Sequence, residues 1–317
     1  MLAALVGYAY RIGADENGLG ARLGPLVVTA VLARVDAGGE RLLKRRLPRK
    51  IRADLADSKQ LVSHGDVALG EAWARVLAGD DAGSPARLFE RLSLESGTEL
   101  RHPCPEHVAE QCWSPSQESF SAPAELVQRL GGHRAELARR GVEIVRACSS
   151  VVCTRRLNDK KSLGQNRFIA DLHSMERLVL ELRREAGQDV MAVCGKVGGM
   201  GDYSRFFGPL GGWLHAVMEQ GRARSAYRFP GLGELHFVRD ADGCDPLVML
   251  ASLVGKWVRE LLMSRVSRYY TPDAEPDQQP SGYHDPLTAR FVEATSLVRS
   301  RRRIPDVCFE RAGARDE

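Results

Sequence analysis

Apolar positions in this chain fall into two kinds of block that alternate: short runs rich in β-branched residues and longer stretches with helical spacing. Residues 12–16 and 26–32 (LVVTAVL) predict two strands joined by a turn containing Gly18, Gly20, Gly24 and Pro25. Residues 65–78 carry Val67, Leu69, Trp73 and Val76 at helical intervals, and a second helix is expected over 124–140. A strand follows at 142–152. A helix over 168–186 repeats Phe168, Ile169, Leu172, Met175, Leu178, Val179 and Leu182 on one face. Strands at 189–194 and 235–240 come next, and Pro246 opens a helix that is apolar on nearly every side in its first half, as a buried helix must be. A last helix is expected over 286–299, after a linker rich in Pro, Asp and Gln. Two stretches, 79–123 and 197–234, break the pattern with turn residues and read as loop-rich insertions. The whole is an α/β pattern whose first strands meet without helices between them, which predicts a mixed sheet flanked by helices.

Composition narrows the class. With 317 residues, 44% of them hydrophobic, the chain can bury a large core, and a net charge of +4 permits a polyanionic partner without requiring one. Seven cysteines at irregular spacing do not form a secreted disulfide framework. Residues 1–11 hold a short apolar run with no basic flank or cleavage site, and 246–254 are too few to span a bilayer, so a soluble cytoplasmic protein with no membrane partner is expected. No Walker A sequence occurs, and the glycines of GGMGDYSRFFGPLGGW lack the flanks of a dinucleotide fingerprint, which argues against a nucleotide cofactor. His102, Cys104, His107 and Cys112 match no zinc-finger or ribbon spacing.

The chemistry-bearing residues stand at strand ends: Asp15 and Glu16 on the first strand, Cys194 on the fourth, and Asp242 in the acidic turn before the long helix. Carboxylates beside a core are costly unless a cation compensates them. Convergent carboxylates are also what a two-metal phosphodiester hydrolase needs, with hard oxygen donors holding ions roughly 4 Å apart.

The motifs around these residues make the pattern specific. Gly13-Ala14-Asp15-Glu16-Asn17-Gly18-Leu19-Gly20, continuing to Gly24-Pro25-Leu26-Val27-Val28, resembles the opening signature of type 2 ribonuclease H, the ribonuclease HII family, with features shared by ribonuclease HIII. Asp57-Ser58-Lys59 with Leu61, Arg156-Leu157-Asn158, Val193-Cys194-Gly195-Lys196, and Asp242 followed by Ser252-Leu253-Val254-Gly255-Lys256-Trp257-Val258-Arg259 resemble further family segments in the family's order. Ser281-Gly282-Tyr283 before Asp285-Pro286 is similar to the segment found in archaeal and eukaryotic-type members. The resemblance covers about half the chain.

It implies a ribonuclease H-like five-stranded mixed sheet over 1–270, with the two insertions and with 271–317 forming a linker and a C-terminal helical extension packed on the same domain. It implies metal-dependent cleavage of the RNA strand in RNA·DNA hybrids, with Asp15, Glu16 and Asp242 as catalytic ligands of Mg²⁺ or Mn²⁺. Gly18, Leu19, Gly20, Ser58, Lys59, Asn158 and Tyr283 fall on substrate-contacting positions. Two departures matter. Leu19 stands where junction-reading members have arginine. Cys194 stands where the family has a fourth carboxylate, and a neutral soft thiol is a poor Mg²⁺ ligand, so weakened metal binding and impaired catalysis are expected unless Asp202 or Asp240 substitutes. The alternative is an inactive paralogue that binds nucleic acid or another protein.

Overall fold

The computed structural model describes residues 9–197, 200–274 and 278–313; most of the N-terminal apolar run and part of the 271–282 linker lie outside them. Among the described residues, seven strands form one sheet in the order β3-β2-β1-β4-β7-β6-β5: β1 Tyr10–Asn17, β2 Leu26–Val35, β3 Val142–Val152, β4 Val190–Gly195, β5 Ala216–Gln220, β6 Arg224–Phe229 and β7 Gly233–Val238. The expected count of five is corrected by the stretch read as a loop-rich insertion. There Gly221 and its neighbours turn an antiparallel hairpin, β5–β6, which continues the sheet beyond β7. It escapes a reading tuned to longer apolar runs because every residue of β5 faces solvent.

The principal helices are α1 Ala68–Ala78, α2 Ala124–Arg139, α3 Thr154–Ser162, α4 Arg167–Ala186, α5 Pro246–Tyr270 and α6 Pro286–Ala294. Alternate side chains of β1 and β2 separate two cores. Ile12, Ala14, Val28 and Ala30 meet Leu172, Met175 and Leu178 of α4 on one face. Val27 and Val31 meet Trp73 of α1, Leu130 of α2 and Leu250, Leu253 and Val254 of α5 on the other. Helix α5 is buried along most of its 25 residues, as its all-round apolar first half predicts, and Asp245 caps it by accepting from the amides of Leu247 and Val248. No helix among the described residues is long and apolar enough to cross a membrane.

The 79–123 stretch is also corrected. It folds into short helices, Pro85–Leu92, Gly97–Arg101 and Glu106–Trp113, which bury Leu88, Phe89, Leu92, Leu100, Val108 and Trp113. Each is too short to show a clear period, yet each has its start signal: Pro85 at a first turn, and a Ser96–Glu99 capping box. Among the described residues no group of three His, Cys, Asp or Glu side chains forms a ready-made metal site, here or elsewhere. Cys104 instead lies 3.7 Å from Cys308. The last helix is broken in two, α6 and Ser296–Arg301. With the turn Asp306–Phe309 it packs Phe291, Ile304 and Phe309 against Leu23 and against Met263 and Val266 of α5.

Helix α5 lies close against β1. A Cβ on Gly13 would lie 2.4 Å from the backbone of Leu247 and Val248. Gly13→Ala is therefore expected to destabilise the protein by about 1–3 kcal/mol or more through overpacking, read as a fall in the urea midpoint at unchanged slope.

Candidate active site

Parallel pairing decides where the acids go. β1 pairs in parallel with β4, and β4 with β7, so all three strands end at the same edge of the sheet. β1 delivers Asp15 and Glu16 there, and Ala14 is the partner of Cys194 on β4. After β7 the chain turns through a short 3₁₀ segment, Ala241–Gly243, which presents Asp242. Asp15, Glu16 and Asp242 border a cleft of about 520 Å³, lined also by Asn17, Gly18, Leu19, Gly20, Ser58, Lys59, Gly195, Asp240, Ser252, Arg259 and Tyr283.

Asp15 is almost fully buried, and burial, with the neighbouring charge of Glu16 next, raises its carboxyl well above the ordinary range. Its compensation is a hydroxyl relay: Ser252 of α5 donates to Asp15, and Ser58 of the Asp57-Ser58-Lys59 segment lies 3.0 Å from the Ser252 oxygen. Ser58 is thus a positioning group beneath the cleft. Glu16 is pushed up to about 8, by burial first and by the charge of Asp171 second. Asp242 is held by Lys59, whose ammonium donates to it at 3.1 Å. Gly195 keeps the space between the acids open, since a Cβ there would stand 2.7 Å from Asp15 Oδ1 and 3.4 Å from Glu16 Oε2.

The glycine loop is gripped from behind. Gly18 takes a left-handed conformation (φ +86°), and a Cβ would strike the Arg259 side chain at 2.5 Å. Arg311 donates to the carbonyls of Gly18 and Leu19, and Arg167 to those of Leu19 and Ala21. Arg22 and Leu23 both donate their amides to the Gly282 carbonyl, which ties the loop to the Ser281-Gly282-Tyr283 segment. Arg259, only 2% exposed, donates to Ser281 O and stacks its guanidinium 4.4 Å from the centre of the Tyr283 ring, leaving that ring 41% exposed at the cleft.

Of the residues singled out from sequence, the structure gathers Asp15, Glu16, Asp242, Gly18, Leu19, Gly20, Ser58, Lys59 and Tyr283 around one cleft. Asn158 does not line it. Its amide donates to the carbonyls of Val307 and Glu310 and accepts from Ala312, anchoring the C-terminal segment that carries Arg311. Cys194 lies behind the cleft, wholly buried in the α4 core, and burial together with the Asp171 charge keeps its thiol neutral. Asp202 is bound away from the cleft, whereas Asp240 lines it. Asp202 accepts from Ser204 and pairs with Arg205, and Asp240 is exposed beside Arg239.

Sequence reasoning missed Asp171, in the first half of α4. It is fully buried, and neither carboxylate oxygen has a hydrogen-bond partner among the described residues. A buried polar group left unpaired costs about 1–3 kcal/mol, and more when charged. The available signal was an acid inside a helix face otherwise occupied by Phe168, Leu172 and Met175.

No family model and no curated protein matches the chain. Solved structures do. Ribonuclease HII of Archaeoglobus fulgidus, in a complex with PCNA, is 19% identical with a TM-score of 0.44, covering 96% of this chain and 94% of that one. Bst-RNase HIII in complex with Mn²⁺ is 13% identical with a TM-score of 0.43, over 97% of this chain and 68% of that one. Ribonuclease H2 of Pyrococcus horikoshii OT3 is 16% identical with a TM-score of 0.40, over 94% and 92%. The structural neighbours are ribonucleases HII and HIII.

The raised carboxyl of Glu16 has a sign that can be measured. Because its folded value of about 8 exceeds the ordinary 4.5, Glu16 contributes most to metal-free stability below pH 4.5 and loses that contribution as pH rises toward 8. Wild-type stability relative to Glu16→Gln is therefore expected to fall across that window, as followed by thermal melting in chelator.

Proposed function

We propose that this protein is a ribonuclease H-type endonuclease that hydrolyses the RNA strand of RNA·DNA hybrids with Mg²⁺ or Mn²⁺. The observation that carries the reading is the convergence of Asp15, Glu16 and Asp242 on one cleft with the glycine loop and the exposed Tyr283 ring. The donor set fits a divalent cation: hard oxygens, two of them on carboxyls that burial and mutual repulsion raise for want of positive charge. Asp15, Glu16 and Asp242 would hold it, and such ions activate a water and stabilise the leaving oxygen in phosphodiester hydrolysis.

The chain's own residues supply the rest. Ser252, backed by Ser58, holds the Asp15 carboxylate. Gly18 and Gly20 allow backbone to approach a ribose closely, and the carbonyl grip of Arg311 and Arg167 holds that loop in place. Tyr283, backed by Arg259, offers a flat face for a sugar or base. Lys196 and Lys256 donate to the carbonyls of Gly221 and Val62, which fixes them without neutralising them. They leave positive charge at the cleft for a phosphate backbone, with Lys59 released from Asp242 once a cation takes that carboxylate. Leu19 packs against the α4 core instead of offering a guanidinium to phosphate, which favours hybrids over single ribonucleotides within DNA.

The test is cleavage of a labelled RNA·DNA hybrid in Mg²⁺ and in Mn²⁺. Wild type is expected to cut, and Asp15→Asn to lose roughly 10²-fold or more. Gly195→Ala is expected to lose activity by displacing the Asp15 carboxyl while changing stability by less than about 1 kcal/mol, because the clash is with the end of a side chain. Absence of cleavage by wild type in either metal overturns the reading. The buried thiol of Cys194 favours a second one, a hybrid-binding protein without turnover; cleavage by Cys194→Asp alone would establish it.

A further inference from the structure

Cys194 leaves the end of β4 without a carboxylate; Asp202 is bound to Ser204 and Arg205, and Asp240 lines the cleft from an exposed position beside Arg239. A further acid is buried in the core, outside the cleft lining. Asp171 stands on α4, the helix packed on β1 and β4, where its neighbours Ala170 and Leu172 share a core with Ala14 and Cys194. Both of its oxygens are buried and unpartnered among the described residues. Besides burial, the influence on it is the charge of Asp15, and its own charge bears on Glu16 and Cys194. The carboxyls of α4 and β1 are therefore near enough for their charges to act on one another.

We propose that Asp171 is a further carboxylate ligand of the divalent-cation site, so that the donor absent from strand β4 at Cys194 is supplied by helix α4. The inference rests on the metal-dependent reading above. An interior position flanked by Ala170 and Leu172 would be filled more stably by an apolar side chain, so an unpaired acid there is explained by a function that uses its charge. Cys194 completes the exchange. A neutral thiol at Cys194 spares Asp171 and Asp15 a further negative charge nearby, so the pair Asp171 and Cys194 carries one carboxylate between them. As they stand, no three of the acids enclose a cation among the described residues. Side-chain rotation would let Asp171, Asp15 and Glu16 hold one, and its charge would offset the repulsion among them.

The experiment is a Mn²⁺ titration of the full chain by calorimetry and by the electron-spin resonance of free Mn²⁺, with no nucleic acid present. Asp171→Asn is expected to bind Mn²⁺ about 10-fold more weakly or worse, and to melt at or above the wild-type temperature in chelator. Cys194→Asp combined with Asp171→Asn, which moves the carboxylate back to the strand, is expected to recover most of the lost affinity. Unchanged Mn²⁺ binding in Asp171→Asn, alongside its loss in Asp15→Asn, would overturn this inference and leave the metal-dependent reading standing. A melting temperature of Asp171→Asn well below wild type would mark a structural acid and overturn it too. No Mn²⁺ binding by wild type would overturn both.

Discussion

Helix α5 lies on β1 with no room for a side chain between them at Gly13, and the rest of the structure depends on that contact. It buries the helix that closes one core, and it fixes in depth and rotation everything the helix carries. Asp245 and Pro246 start the helix at the sheet edge, which sets the Asp242 turn beside the end of β1. Two turns further, Ser252 meets Asp15. Two more turns on, Arg259 reaches the back of the glycine loop and the Tyr283 ring. A rigid helix converts one close packing contact into the placement of three groups around the cleft.

Against that frame the electrostatics of the cleft run uphill. Asp15, Glu16 and Asp171 are buried beside one another, and desolvation outweighs every hydrogen bond available to them. Backbone amides and the Ser252 hydroxyl offset part of the cost, and Lys59 answers Asp242 only from an exposed position where an ion pair is weak. Folding energy gathered in the two large cores tolerates this arrangement. Stability and charge concentration are in tension here, as at sites where function selects groups that the fold alone would replace.

The C-terminal segment links these two themes. It packs Phe291, Ile304 and Phe309 against the outer half of α5, and from there returns Arg311 to the carbonyls of the glycine loop. Arg311 is buried with its charge poorly compensated, and Asn158 holds the segment that carries it. The loop that borders the acids is thus braced by residues some 290 positions away in sequence.

The sequence by itself determined the elements and the acids. β-branched runs and helical periods place β3, α4 and the start of α5 within a residue, and β2 from its first residue to three short of its end, because those elements bury one face or all faces over a long enough stretch to show a period. Asp15, Glu16, Asp242, Ser58 and Tyr283 were legible because each stands in a short ordered motif. Only the tertiary structure decided what lies outside motifs. Strand β5 is exposed along its length, so its Ala-Val-Met run shows no alternation of apolar and polar positions, and the helices of 79–123, none longer than 8 residues, are too short to show a clear period. Asn158 sits in a motif yet serves the C-terminal segment, since which partner an amide finds depends on what packs beside it. Asp171 was invisible for the same reason. Within α4 it is one acid in a helix, and only the packing of that helix on β1 and β4 turns it from the solvent toward two other carboxylates and a thiol.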